Sequence, residues 1–338
     1  MPFLLMTPFD DPTLFQAVTG LALEEVWASH DGGGIVVDLP EGDAQERLIF
    51  YAAVHAALPE AVGDVQRVAL TGAELGGRVF AEPFAPRWLS IWREAVSEIV
   101  DLLGVQNSSE AQSRLNMIWA RADARVRART TPRKSLGGFD ESNLNIQSTK
   151  RPYARYFAVE DYVYSHDRFD GTDSGPLDRA CFIAADAVTV LPYDPVRDCV
   201  LVVEQVRVSP IGRADPSPWL PEPVAGRIEP GDTPEDTAHK ETWEEAGLKL
   251  SALHAVADYY PTTGAFSEYI YSYIGIADLP ESAAGLGGLA TEGEDIRGHI
   301  MPRTELLALI AEGRAPVGTL QLSVFWLELN HSRLRQSG

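Results

Sequence analysis

WLPEPVAGRIEPGDTPEDTAHKETWEEAGL, residues 219–248, decides how this 338-residue chain is read. Thr233 is a natural N-cap, and Pro234 suits the first helical position. Asp236, three residues after the cap, completes an approximate capping box. Gly247 stands where a left-handed C-terminal cap belongs. These signals predict a helix from about Pro234 to Ala246. On it Glu241, Glu244 and Glu245 recur at i, i+3 and i+4, so they share one stripe. Like charges at that spacing repel by roughly a few tenths of a kcal/mol per pair. They also lie toward the C-terminal half, the unfavourable end of the helix dipole for an acid. A divalent cation offsets both penalties, and hard carboxylate oxygens select Mg²⁺ or Mn²⁺.

Working outward from the helix, 156–165, 180–191, 199–208 and 269–276 read as strands, and 303–312 and 319–334 as helices. Strands alternate with helices without regular βαβ spacing, which predicts an α/β/α sandwich around a mixed sheet. Upstream, the polar, Gly- and Pro-containing run 130–152 has no period and reads as a linker. The expected division is therefore a smaller α+β domain over 1–130, a linker over 131–152 and the sandwich over 153–338. Within the first domain the apolar runs 3–6, 34–39, 48–54, 65–70 and 77–80 read as short strands. Residues 88–103 and 110–129 read as helices. The second carries Arg121, Arg125, Arg127 and Arg129, expected to form a solvated or inter-domain face.

Acids number 49 and bases 28, giving a net charge of −21. So acidic a chain is a poor candidate for nucleic acid or anionic lipid. It binds an anion only where arginines, backbone amides or metal cations reverse the sign locally. Cys181 and Cys199 form no C-x-x-C pair and sit in apolar runs, so they read as buried free thiols suited to a reducing cytoplasm. The N-terminus lacks a basic region, and no run approaches the roughly 18 apolar residues of a membrane span. A soluble cytoplasmic protein is expected. There is no G-x-S-x-G and no H-E-x-x-H, and the GLGG of 285–288 lacks the Lys and Ser/Thr of a P-loop, so it reads as a loop.

The stripe of glutamates has a further context. Gly226 precedes it at a fixed distance, and Gly247 and Leu248 close it. This arrangement resembles the Nudix box, a glycine, five residues, Glu, seven residues, then R-E-u-x-E-E-x-G-u with u apolar. Gly226, Glu241, Glu244, Glu245, Gly247 and Leu248 match. Asp232 stands in place of Glu, Lys240 in place of Arg and Thr242 in place of an apolar residue. The resemblance extends over about 155–335 and narrows to the ADP-ribose pyrophosphatase branch. The segments are YDPVRDCVLVVEQVR (193–207), WLPEPVAGRIEPGD (219–232), GAFSEYIYSYIG (264–275), GLATEGEDIRGHI (288–300) and GTLQLSVFWL (318–327). Thr263 departs, since the family usually places a proline there.

The resemblance implies a set of roles. The Ala225 carbonyl, Glu241 and Glu245 would ligate metal with Glu244 assisting, and Glu241 and Glu245 count as catalytic with them. Arg207 would reach the substrate diphosphate, with Glu222, Gly264 and Glu268 also binding substrate. Lys240 and Asp232 would support the glutamates from behind. Glu292 would be the general base, with Glu294 the alternative. The implied reaction is Mg²⁺-dependent (or Mn²⁺-dependent) hydrolysis of ADP-ribose to AMP and ribose 5-phosphate, by a homodimer. Hydrolysis of another nucleotide sugar or dinucleotide, or non-catalytic sensing of ADP-ribose, are the alternatives. The stretches 3–20 and 47–54 resemble a γ-glutamylcyclotransferase-like fold, with Ala52 where a catalytic Glu would stand, which implies a non-catalytic domain.

Overall fold

Apolar residues in the second half alternate along the central strands, and each alternate set feeds a different core. In the computed structural model, which describes residues 2–31, 33–70, 74–75, 78–79, 84–289 and 293–337, these strands form one eight-stranded sheet. They are β1 (Ala187–Asp194), β2 (Cys199–Val206), β3 (Trp219–Glu222), β4 (Val224–Arg227), β5 (Ala252–Tyr259), β6 (Ile270–Ile276), β7 (Leu286–Gly287) and β8 (Ile296–Pro302). The helices are α1 (Val208–Gly212), α2 (Pro234–Ala246), α3 (Arg303–Ala311) and α4 (Gly318–Ser337). The order is β5-β6-β1-β2-β8-β7, with β3 joined to β2 and β4 to β1. β1 and β6 run parallel and the other pairs antiparallel, so the sheet is mixed.

Leu201 and Val203 on β2 bury on one face with Val188, Val224 and Ala238 of α2. Val200 and Val202 bury on the other with Leu306 of α3 and Leu320, Val324 and Leu327 of α4. That period of two through a helix-covered sheet is the expected α/β/α sandwich. The topology sets up the site. β1 and β2 pair only where they join, Tyr193 opposite Val200 and Asp194 opposite Cys199. Beyond that point they part. β4 takes up pairing with β1, Ala225 opposite Thr189 and Gly226 opposite Val188. β3 takes up pairing with β2, Glu222 opposite Val203. Pro223 lies at the switch between partners, where a residue without an N–H forfeits no ladder bond.

Helix α2 is bounded as its capping signals predict. The Thr233 hydroxyl oxygen accepts from the Asp236 amide at 3.1 Å, and Gly247 adopts φ 64°. Thr242, which stands where the box has an apolar residue, is fully buried and donates its hydroxyl to the Ala238 carbonyl at 2.7 Å. Its polar atom is thereby satisfied within the helix.

The first compact unit comprises 1–185 with 264–266. Its five-stranded sheet runs Trp27–Asp31, Gly34–Val37, Phe3–Leu5, Val65–Val68, Glu60–Val62. Helices Asp43–Val54, Pro86–Val100 and Leu115–Thr130 contribute the buried Tyr51, Trp92 and Trp119. Several expectations are corrected here. Residues 48–54 belong to the helix Asp43–Val54 and not to a strand. A short apolar run has no period of its own, and Leu48, Tyr51 and Ala52 bury at helical spacing. The 110–129 helix is two, Ser108–Gln112 and Leu115–Thr130. Of its four arginines only Arg129 lies on an exposed face; Arg125 and Arg127 are half-buried and Arg121 is buried. Arg121 is 2% exposed and paired with Glu98, and Arg125 bonds Glu160 at 2.8 Å on the strand Ala158–His166. From Leu144 to Ala154 the expected linker is a strand, paired with Ala158–His166, which pairs in turn with Leu177–Ile183. It escapes pattern reading because nearly every residue on it is exposed, so neither face is marked by apolar residues. Of the run 77–80, only Arg78–Val79 lies among the described residues, as a short strand. Cys181 and Cys199 are free but half-buried. Among the described residues, no helix is long and apolar enough to cross a membrane.

Candidate active site

The central contact is between α2 and β4. A Cβ built on Gly226 would lie 2.0 Å from Glu241 Cδ and 2.1 Å from its Oε1. The Glu241 side chain therefore lies flat on the glycine, and no larger residue leaves it room. One turn along, Glu245 is 3% exposed, and its Oε2 accepts the Ala225 amide at 3.3 Å. Glu244 is half-buried on the same helix. Burial pushes the Glu245 carboxyl up to about 8; the charges of Glu241 and Glu294 add to the rise, while the Ala225 amide and Arg207 oppose it.

Arg207 follows β2 directly. Val203, Gln205 and Arg207 alternate onto one face, and Val203 buries in the core beneath α2. The Arg207 Nε donates to Glu222 Oε2 at 2.6 Å. Burial raises the Glu222 carboxyl while Arg207 pulls it back. Burial and Asp186 raise Glu268, again against the pull of Arg207. Arg207 thus acts on Glu222, Glu245 and Glu268 together. Gly264, by contrast, is exposed and belongs to the first unit.

Lys240 takes a partner that spacing did not suggest. Its Nζ donates to Glu229 Oε1 at 2.9 Å. Burial disfavours its charge, but Glu229 foremost, then Glu244 and Glu241, raise its pKa overall. Asp232 closes the turn that carries Glu229, its amide donating to the Glu229 carbonyl at 3.0 Å. Gly231 between them has φ 89°.

The other wall is β7 and the residues after it. A Cβ on Gly287 would lie 1.9 Å from the Glu245 carbonyl oxygen, so only glycine lets this strand reach the end of α2. The residues read as a loop at 285–288 thus include a two-residue strand. Glu294 Oε2 accepts the Leu289 amide at 2.9 Å, and its charge reaches Glu245. Glu292, the expected base, lies outside the described residues. Glu229, Asp186 and Leu289 are participants that sequence reasoning missed. Each acts through a side-chain or backbone partner, and such pairing leaves no periodic signal.

The candidate donors on α2 and β4 are all oxygens: the Glu241, Glu244 and Glu245 carboxylates and the Ala225 carbonyl. Their chemistry, and a buried carboxyl crowded by two others, fit a hard divalent cation. Among the described residues, no three or more His, Cys, Asp or Glu side chains stand together closely enough to hold a metal ion.

Two glycines separate function from stability. Gly226→Ala finds its three nearest atoms all in the flexible Glu241 side chain. It should cost less than about 1 kcal/mol of stability yet cut turnover by about 100-fold, because Glu241 is displaced. Gly287→Ala meets backbone and should lower stability by about 1–3 kcal/mol. Thermal unfolding and a turnover assay on both variants check the contrast. A second prediction concerns Glu245 in EDTA. Its folded pKa of about 8 exceeds its ordinary 4.5. The folded state then binds the proton more tightly, so stability falls as pH rises between those values, by on the order of 5 kcal/mol. Denaturant unfolding from pH 4 to 8 should show that slope in the wild type and its loss in Glu245→Gln.

Comparison with known proteins agrees with this geometry. The family model described as NUDIX domain matches residues 184–319. An ADP-ribose pyrophosphatase of Haemophilus influenzae is 34% identical over 201 residues, 59% of this chain and 92% of that protein. An ADP-ribose pyrophosphatase of Escherichia coli is 34% identical over 197 residues, 58% of this chain and 93% of its own length. A GDP-mannose pyrophosphatase of Escherichia coli is 27% identical over 176 residues, 52% of this chain and 90% of that one. With the glutamate helix laid against Gly226 and relatives matched over nearly their whole length, the chain belongs to the Nudix family.

Proposed function

We propose that this chain hydrolyses ADP-ribose to AMP and ribose 5-phosphate with Mg²⁺ or Mn²⁺. The observation that carries the reading is the buried Glu245 carboxyl, crowded by Glu241 and Glu294 with the Arg207 charge beside it. Such a group calls for a cation, and a cation next to a fixed arginine calls for a polyanion. The two relatives at 34% identity, both named ADP-ribose pyrophosphatase, support it.

The Ala225 carbonyl, Glu241 and Glu245 would hold the metal, with Glu244 assisting. When bound, the metal neutralises diphosphate oxygens and lowers the pKa of water. Arg207 supplies fixed positive charge for the diphosphate, and Glu222 holds its guanidinium at 2.6 Å so that the fork keeps one direction. Glu222 and Glu268, carboxylates on either side of that arginine's influence, serve as acceptors for sugar hydroxyls. Glu292 takes the proton of the attacking water, and Glu294 holds the Leu289 amide. Local positive charge of this kind explains how a chain of net charge −21 takes an anionic substrate. The reading includes a homodimer in the cytoplasm, supported by the family resemblance and the two free thiols. It also assigns the first 130 residues a non-catalytic role. A second reading, another nucleoside diphosphate sugar, is favoured by the GDP-mannose pyrophosphatase relative and by Thr263 in place of proline.

The test is AMP release from ADP-ribose with Mg²⁺, beside GDP-mannose and a diadenosine polyphosphate. ADP-ribose should be preferred and EDTA should stop the reaction. Glu292→Gln should lose kcat by about 10²–10⁴-fold with KM little changed, and Glu294→Gln should lose less. Preference for GDP-mannose would replace the first reading by the second. Full turnover in EDTA would refute both.

A further inference from the structure

The Lys240–Glu229 pair joins the turn before α2 to the helix itself. Both side chains are more than one-third exposed, and the bond spans 2.9 Å. Lys240 also stands one turn before Glu244 on the same helix, the i, i+4 position from which side chains meet. Glu244 and Glu241 both act on its charge. The ammonium therefore has two destinations. One is Glu229, which it occupies. The other is the glutamate stripe, where it would neutralise the charge meant for a metal ion. Arginine could serve both with its fork, whereas lysine is a point charge and commits to one.

Resting on the metal reading above, we infer that Glu229 is a positioning residue that draws Lys240 away from Glu244 and so keeps the glutamate stripe available to a divalent cation. Glu229 needs no contact with metal or substrate for this. The turn that carries it is fixed by the Asp232 amide on the Glu229 carbonyl and by the left-handed Gly231, so its carboxylate is presented to Lys240 at little conformational cost. The effect is modest, because an exposed ion pair is a weak one.

The test is Mn²⁺ binding to the full chain without substrate, read from the electron paramagnetic resonance signal of free Mn²⁺. Glu229→Gln releases Lys240 onto Glu244 and should weaken Mn²⁺ binding by about three- to five-fold. Lys240→Met removes the competitor and should bind Mn²⁺ at least as tightly as the wild type. Adding Glu229→Gln to Lys240→Met should then change nothing, a rescue that general loosening of the turn cannot produce. Thermal unfolding of all three variants should stay close to the wild type. An unchanged dissociation constant in Glu229→Gln, or a weakening that persists in the double variant, overturns the positioning role alone. A wild type that binds no Mn²⁺ overturns the metal reading, and this inference with it.

Discussion

The close approach of α2 to β4 is the constraint on which the rest depends. Glu241 lies in the space a side chain at Gly226 would fill, and Glu245 is sealed against the Ala225 amide. Helix and strand together hold two carboxylates in a setting water cannot fully solvate. That is costly for a carboxylate alone and favourable once a hard cation is bound. The divergence of β1 from β2 makes the approach possible, because it opens the wedge that residues 219–227 fill. Arg207 lies just past the end of β2, and Glu222 on β3 meets it there. On the proposed reading, neighbouring strands of one wedge would address the diphosphate charge and the metal charge.

Much of this was legible in residues 219–248. A cap at Thr233, a stop at Gly247 and three glutamates at helical spacing are local signals, and local signals survive without tertiary information. The pairing of β3 with β2 and of β4 with β1 was not legible, since four-residue strands beside prolines carry too little pattern. The same limit explains 48–54. Its apolar run fits strand and helix alike, and only burial of Tyr51 against the Trp92 helix decides. The strand from Leu144 to Ala154 failed for the opposite reason, being too polar to show a face.

Side-chain partnerships form a third class. Lys240 was expected to steady the glutamates behind which it stands, yet its hydrogen bond goes to Glu229. The arginines of Leu115–Thr130 were expected on a solvated or inter-domain face; Arg129 is exposed, but Arg121 and Arg125 are taken up by Glu98 and Glu160. A charge's identity is written in the sequence, but its partner depends on which element packs beside it. Residues such as Glu229 therefore become visible only once the turn and the helix are placed in space.

The most direct measurement of the central claim is anomalous diffraction from crystals of the chain grown with Mn²⁺. The account predicts peaks at the α2–β4 contact, with the Ala225 carbonyl, Glu241 and Glu245 among the ligands. Peaks confined to other acidic surfaces, with Glu245 still bonded only to the Ala225 amide, would contradict it.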